Sequence, residues 1–104
     1  MEHLTKENFE VKIFKSEKPV ALVFFANWCA PCKAYAPIFA EVADEFAGVA
    51  NFCKADVDKL GAEAQGFGVS SIPATVILKN GTIISKTLGV LEKDVVAHEI
   101  SKVL

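Results

Sequence analysis

The chain has 104 residues, enough for one domain, and its 52% hydrophobic content can build a core without disulfide staples. Three cysteines are too few for a disulfide framework, and a net charge of −2 argues against nucleic acid or an anionic membrane as the main partner. The N-terminus lacks an apolar signal core and no segment reaches transmembrane length, so we expect a cytoplasmic, single-domain protein over residues 1–104.

The first half of the chain predicts alternating strands and helices. Residues 2–4 form a candidate edge strand, and apolar residues at helical spacing predict a short helix around residues 9–14. The continuous apolar run over residues 20–26 is typical of a strand buried on both faces of a sheet. Helical spacing returns over residues 31–48, although Pro37 removes one backbone donor there and should bend the helix.

The second half continues the alternation and then changes to a hairpin. Residues 50–57 predict a strand and residues 60–66 a short, weakly patterned helix. Residues 74–87 predict a β-hairpin with a strong Asn-Gly turn, and residues 91–104 a final amphipathic helix. Alternating strands and helices followed by one hairpin indicate a mixed sheet between helical layers, that is, an α/β sandwich.

Two cysteines separated by two residues lie where the strand over residues 20–26 meets the following helix. Cys29 is placed at the helix start, where free N–H groups and the positive end of the helix dipole favour thiolate over thiol. Cys32 lies one turn along, close enough to form a disulfide with Cys29, and Pro31 between them fits a first helical turn. The segment therefore predicts a reversible dithiol switch.

Other uses of the cysteines have weaker support in the sequence. A zinc site needs four ligands, and beyond the pair the chain offers only the scattered Cys53, His3 and His98, so we expect no metal. A pair retained without catalytic use remains an alternative. Cys53 lies in a predicted strand, where a buried small hydrophobic residue is the ordinary interpretation and a regulatory thiol is the alternative.

Further landmarks extend from this pair along nearly the whole chain. In order they are Phe24, Ala26, Trp28-Cys29, Pro31-Cys32-Lys33, Ala36-Pro37, Lys54, Asp58, Ile72-Pro73, Lys79-Asn80-Gly81 and Gly89. With these residues at this spacing the chain resembles the thioredoxin family. The resemblance implies a thioredoxin-like three-layer α/β/α sandwich with a central mixed sheet. It also implies a thiol–disulfide oxidoreductase that reduces protein disulfides and is itself re-reduced by a thioredoxin reductase.

The resemblance also assigns roles to individual residues. It implies that Cys29 is the nucleophile, exposed at the helix tip, and that Cys32 is the more buried resolving thiol. It implies a cis peptide before Pro73, opposite the dithiol, where the Ile72 backbone would pair with a substrate strand; the residues alone leave an ordinary trans proline open. The dithiol itself would be the only cofactor, and we expect a monomer.

A substrate-binding surface and two supporting positions complete the expected site. The surface comprises Trp28, Ala30, Pro31, Ile72, Pro73, Gly89 and Val90. Lys54 would lie beneath the dithiol, where its cation favours thiolate, although a solvated surface lysine is the plainer interpretation. Val23 departs from the family pattern, because thioredoxins usually carry a buried Asp there for the proton of the resolving cysteine. Ala30 departs too, since Gly is commoner and Ala stiffens the loop.

Two rival functions remain open at this point. One is an oxidase or isomerase of the same fold that makes disulfides. The other is a binding subunit that uses the same surface while its cysteines are incidental. Retention of both cysteines with Pro31 between them favours the reductase.

Overall fold

Five strands form one mixed sheet with two helices on each face in the computed structural model, which describes residues Met1–Leu104. The elements are β1 Glu2–His3, α1 Phe9–Phe14, β2 Val20–Phe25, α2 Ala30–Glu45, β3 Asn51–Asp56, α3 Gly61–Gly66, β4 Ala74–Lys79, β5 Thr82–Leu88 and α4 Lys93–Ser101. The strand order is β1-β3-β2-β4-β5. The first three strands are parallel, and β4 and β5 are added antiparallel.

The central strand β2 has two buried faces, which explains its continuous apolar run. Its residues alternate between two cores: Leu22 and Phe24 pack in the layer with α1 and α3, whereas Ala21 and Val23 pack in the layer with α2 and α4. A sheet covered by helices on both faces confirms the predicted α/β sandwich with a mixed central sheet.

The sheet register brings the ends of three segments to one edge. In the parallel pair of β2 and β3, Phe25 lies opposite Asp56, so both strands end at the same level. The antiparallel strand β4 begins at that level, because Phe24 lies opposite Ala74. The segment that leads from β2 into α2 therefore lies beside the segment that precedes β4.

The hairpin between β4 and β5 has the turn that the sequence predicts. Asn80 and Gly81 both have positive φ, 52° and 77°, as a two-residue turn of the Asn-Gly type requires. A Cβ on Gly81 would lie 2.9 Å from the carbonyl oxygen of Phe14, so this position also needs glycine for close approach to the end of α1.

All nine predicted elements are present, and their ends differ by a few residues from the expectation. The largest difference is in α4, which spans Lys93–Ser101 rather than residues 91–104. Its start is later than expected because Glu92 is in an extended conformation with φ −70° and ψ 153°. Pro37 lies inside α2, as predicted. None of the helices is both long enough and apolar enough to span a bilayer.

Candidate active site

Cys29 caps the N-terminus of α2. Its backbone is extended, with φ −91° and ψ 111°, and its Sγ accepts a hydrogen bond of 3.2 Å from the backbone N–H of Cys32. Pro31 lies in the first helical turn, where its missing N–H costs no helical hydrogen bond. The helix thus directs an N–H donor and the positive end of its dipole at the Cys29 sulfur, an environment that stabilises a thiolate.

Both thiols of the pair are buried, with 6% of Cys29 and 5% of Cys32 exposed. The expectation that Cys29 is exposed is therefore wrong, and Cys32 is buried to almost the same degree. Ala26 and the partly buried Val57 and Ile72 pack around the pair, and the Cys29 Sγ lies 3.9 Å from the carbonyl oxygen of Ile72. These residues form an apolar rim around the two sulfur atoms.

Cys32 is the thiol of the pair whose pKa is raised. Burial, and then a hydrogen bond to the Cys29 side chain, raise the pKa of Cys32 to about 11. A thiol that keeps its proton and donates it toward a neighbouring sulfur favours negative charge on that neighbour. Cys32 therefore keeps its proton at neutral pH.

The segment before β4 forms the opposite wall of the site. The Ile72–Pro73 peptide is cis, as the resemblance implied, and Pro73 is buried. The carbonyl oxygen of Pro73 accepts a hydrogen bond of 2.8 Å from the N–H of Gly89, which has φ +92°. This bond attaches the end of β5 to the wall and places Val90, 46% exposed, next to it.

A cavity of about 110 Å³ lies behind Cys32. Its walls include Val23 from β2, Tyr35 from α2 and Lys54 from β3. The Lys54 Nζ lies 4.7 Å from the centre of the Phe25 ring, a cation–π contact. The two supporting positions expected from the sequence, Val23 and Lys54, therefore share one cavity with Cys32.

This geometry can be compared with known proteins. The family model described as Thioredoxin matches residues 1–102. The chain belongs to the thioredoxin family. It is 39% identical to a thioredoxin of Haemophilus influenzae over 100 residues, which cover 96% of this chain and 94% of that protein. It is also 36% identical to thioredoxin C-2 of Corynebacterium nephridii and 35% identical to a thioredoxin of Chlorobaculum thiosulfatiphilum, each over 94% of this chain and 91% of the other.

Membership of the thioredoxin family confirms the predicted fold and activity: the chain is a thiol–disulfide oxidoreductase with its two cysteines close together at a helix start. Thioredoxins act without an organic cofactor, because the dithiol itself carries the electrons. No group of three or more His, Cys, Asp or Glu side chains is arranged to hold a metal ion.

Other residues that the sequence singled out lie away from the thioredoxin site. Cys53 is buried on the opposite face of the sheet, in the core layer with α1 and α3, and burial followed by the charge of Glu2 raises its pKa to about 11. His3 and His98 are exposed. The structure thus agrees with the ordinary interpretation of all three residues.

One contact of the thioredoxin site was not expected from the sequence. Trp28 is 70% exposed, and its indole Nε1 donates to both carboxylate oxygens of Asp58, at 3.0 and 3.3 Å. Asp58 was a landmark of the family without an assigned role. The sequence feature that could have suggested this contact is the position of Asp58 just after β3, at the end of the sheet where β2 also ends.

Proposed function

We propose that Cys29 attacks the disulfide of a protein substrate and that Cys32 resolves the product. The Cys29 thiolate forms a bond to one substrate sulfur, and the substrate disulfide breaks to release one substrate thiolate. Cys32 then gives up its proton and attacks the Cys29 sulfur, which breaks the mixed disulfide and releases the second thiolate. The two thiolates take up protons, so the substrate gains two electrons and the pair becomes a Cys29–Cys32 disulfide.

The observation that carries this proposal is the hydrogen bond from the Cys32 N–H to the Cys29 Sγ at the start of α2. It gives Cys29 a donor that stabilises its charge, whereas burial keeps the proton on Cys32. One thiol is thus prepared to attack and the other is held in reserve.

The proposed substrate-binding surface surrounds this pair. It consists of Trp28, Ala30, Pro31, Ile72, Pro73, Gly89 and Val90. The exposed indole of Trp28 and the exposed Val90 flank the wall that contains the Ile72 carbonyl, 3.9 Å from the Cys29 sulfur. An extended, apolar segment next to a substrate disulfide suits such a rim, because its backbone can pair with Ile72 while its side chains cover the dithiol.

Val23 and Lys54 support the pair from behind. Val23 leaves the cavity without the like charge that a carboxylate would bring, and the Lys54 cation lies in the same cavity wall as Cys32. Both effects favour thiolate in the reduced protein.

The proposed partners are disulfide-containing proteins as substrates and a thioredoxin reductase as electron donor. The reducing role suits the cytoplasm, where thiols are kept reduced, and there the protein would contribute to electron transport and redox homeostasis. We propose that the chain acts as a single-domain monomer.

A reductase-coupled assay with a disulfide-bonded protein tests the proposal. We expect turnover by the wild type, no turnover by Cys29→Ser, and most of the activity in Cys53→Ser, because Cys53 lies on the other face of the sheet. A wild type that binds the substrate but does not turn it over would identify a binding subunit. One that oxidises a reduced substrate faster than it reduces the oxidised form would identify an oxidase.

A further inference from the structure

A pair of buried hydroxyl groups lies next to position 23, where the chain has no ionisable side chain. Val23 and Thr75 are directly opposite in the antiparallel pair of β2 and β4, so their side chains share one face of the sheet at a separation of about 5 Å. Thr75 is only 3% exposed, and its Oγ1 lies 2.8 Å from the Oη of Tyr35. Tyr35 is one helical turn beyond Cys32 and lines the cavity behind it.

We propose that the Tyr35 hydroxyl, held by Thr75, is a positioning residue that serves Cys32 through water in this cavity and carries the proton that Cys32 gives up. The inference rests on the proposed function of Cys32 as the resolving thiol. In this proposal the hydroxyl pair handles the Cys32 proton, because Val23 has no carboxylate that could do so.

The cavity has the size and the polarity that water requires. A water molecule needs roughly 10–15 Å³ of such volume and two to four polar partners, and this cavity measures about 110 Å³. Asn27, Cys32, Tyr35 and Lys54, which carry polar groups, are among the residues that line it. The cavity therefore has room for water beside Cys32 and Tyr35.

The hydroxyl pair has the hydrogen-bonding capacity for this role. Each hydroxyl has one donor and two acceptor positions, and the bond between Tyr35 and Thr75 uses one donor and one acceptor. The Tyr35 hydroxyl can therefore accept a proton from one water molecule while it gives its own proton to another acceptor. It need not ionise in this exchange. This suits Tyr35, because burial raises its pKa and keeps it protonated at neutral pH.

The chemical step remains balanced with the hydroxyl as a carrier. The S–H proton of Cys32 passes to cavity water as the Cys32 sulfur bonds to Cys29. The Tyr35 hydroxyl accepts a proton from that water and gives its own proton to a further water, and so to solvent. The bond between Cys29 and the substrate sulfur breaks at the same time, and the leaving substrate thiolate takes a proton from solvent. No electron passes through Tyr35 or Thr75, which are unchanged at the end of the step.

The charged and titratable groups around Cys32 come from α2 with its N-cap and from β3. Cys29 lies at the helix start, Lys33 and Tyr35 lie on α2, and Lys54 lies on β3. The residues that β2 and the segment before β4 contribute to the cavity are not titratable. The Tyr35 hydroxyl can take up one proton while it gives up another, so it can take part in proton exchange without a change of charge.

Rapid mixing of the reduced protein with 5,5′-dithiobis(2-nitrobenzoate) separates the two sulfur steps. Attack by one thiol releases a first equivalent of coloured thiolate, and attack by the second thiol on the mixed disulfide releases another. We expect Tyr35→Phe and Thr75→Val to slow the second phase at least threefold between pH 6 and pH 8 and to leave the first phase within twofold. Thr75→Ser, which retains the hydroxyl, should restore the second phase. Cys53→Ala serves as the control for the third thiol.

A second phase that is unchanged in Tyr35→Phe, or slowed together with the first phase, would overturn the inference. So would a Thr75→Ser variant as slow as Thr75→Val, because the pair would then act through packing alone. If Tyr35→Phe does not fold, as judged by circular dichroism, the two Thr75 variants give the same comparison. A wild type that releases only one equivalent of coloured thiolate would contradict the dithiol cycle itself. A normal second phase in the variants would contradict only the role of Tyr35 and Thr75.

Discussion

The backbone N–H of Cys32 donates to the Sγ of Cys29 over 3.2 Å, so the proposed resolving cysteine supplies a donor to the sulfur of the proposed attacking one. This single contact joins the two roles. It exists because Cys29 is the N-cap of α2 and Cys32 is three residues further on, where a capped helix directs a free N–H. Any change that unwinds the first turn of α2 should therefore affect both sulfur steps together.

Val23→Asp should cost stability and oppose thiolate formation, because it buries a carboxyl group behind Cys32. We expect a loss of about 2 kcal/mol or more at pH 7 in urea unfolding. Burial raises the pKa of such a carboxyl in the folded state, so the deficit should increase as the pH rises from 4 to 7. Val23→Asn is the matched control, since it is polar but does not ionise. A deficit of equal size and equal pH dependence in both variants would show that charge is not the cause.

The reduction potential gives a second measure of position 23. With no carboxylate behind the pair, the thiolate and hence the reduced protein are favoured, so equilibrium with glutathione should give a wild-type potential less negative than about −270 mV. Val23→Asp should make it more negative. A shift in the opposite direction would mean that Val23 does not influence the dithiol electrostatically.

Asp58→Ala should impair substrate turnover with little effect on stability. The hydrogen bonds from the Trp28 indole to Asp58 hold an exposed ring at the rim of the site, and a surface contact of this kind contributes about 1 kcal/mol or less to folding. We expect kcat/KM for a protein disulfide to fall severalfold. Trp28 is the single tryptophan of the chain, so its fluorescence reports directly on the loss of the contact. Asp58→Asn keeps one acceptor oxygen, so its kcat/KM should lie between those of the wild type and Asp58→Ala. Equal turnover in all three proteins would exclude a role for the indole orientation.

Cys53 should make the stability of the reduced protein sensitive to alkaline pH. Its pKa in the fold is raised from 9.0 to about 11, first by burial and then by Glu2. A group whose pKa is raised by folding contributes stability that is complete below its unfolded pKa and is lost as the pH rises through its folded pKa. The difference in unfolding free energy between wild type and Cys53→Ala should therefore fall by about 2 kcal/mol between pH 9 and pH 11. A constant difference over this interval would mean that the thiol is not buried as described.

Gly81→Ala should destabilise the hairpin and the end of α1 together. The positive φ of 77° costs a residue with a side chain about 1–2 kcal/mol, and the new Cβ would lie 2.9 Å from the Phe14 carbonyl oxygen. Gly66→Ala is the control, because nothing lies within 4 Å of a Cβ at that position and alanine is the better helix former. Thermal unfolding should show a lower Tm for Gly81→Ala and an equal or higher Tm for Gly66→Ala. Equal losses in both would contradict the close approach of the turn to α1.

Local patterns were sufficient to predict most of the fold. The apolar run of β2, the helical spacing after Pro31 and the Asn80-Gly81 turn are properties of neighbouring residues, and each produced the expected element. The start of α4 was predicted less accurately. It depends on the extended backbone of Glu92, and hence on how the chain leaves β5.

The features of the site that the sequence missed all join distant segments. The Trp28–Asp58 contact spans 30 residues and the Tyr35–Thr75 bond spans 40, so neither leaves a periodic signal. The burial of Cys29 was also missed, because it depends on Ile72 in another loop. Periodicity indicates the element on which a residue lies, whereas these contacts depend on which elements the sheet order makes neighbours.

The most direct test of the account is to identify the thiol that carries the mixed disulfide. Cys32→Ser, incubated with a disulfide-bonded protein and analysed by mass spectrometry after proteolysis, should accumulate a long-lived adduct on Cys29. Cys29→Ser under the same conditions should accumulate almost none, because the pKa of about 11 keeps Cys32 protonated. Adducts that form mainly on Cys53, or equally on Cys32 when Cys29 is absent, would contradict the proposed division of roles.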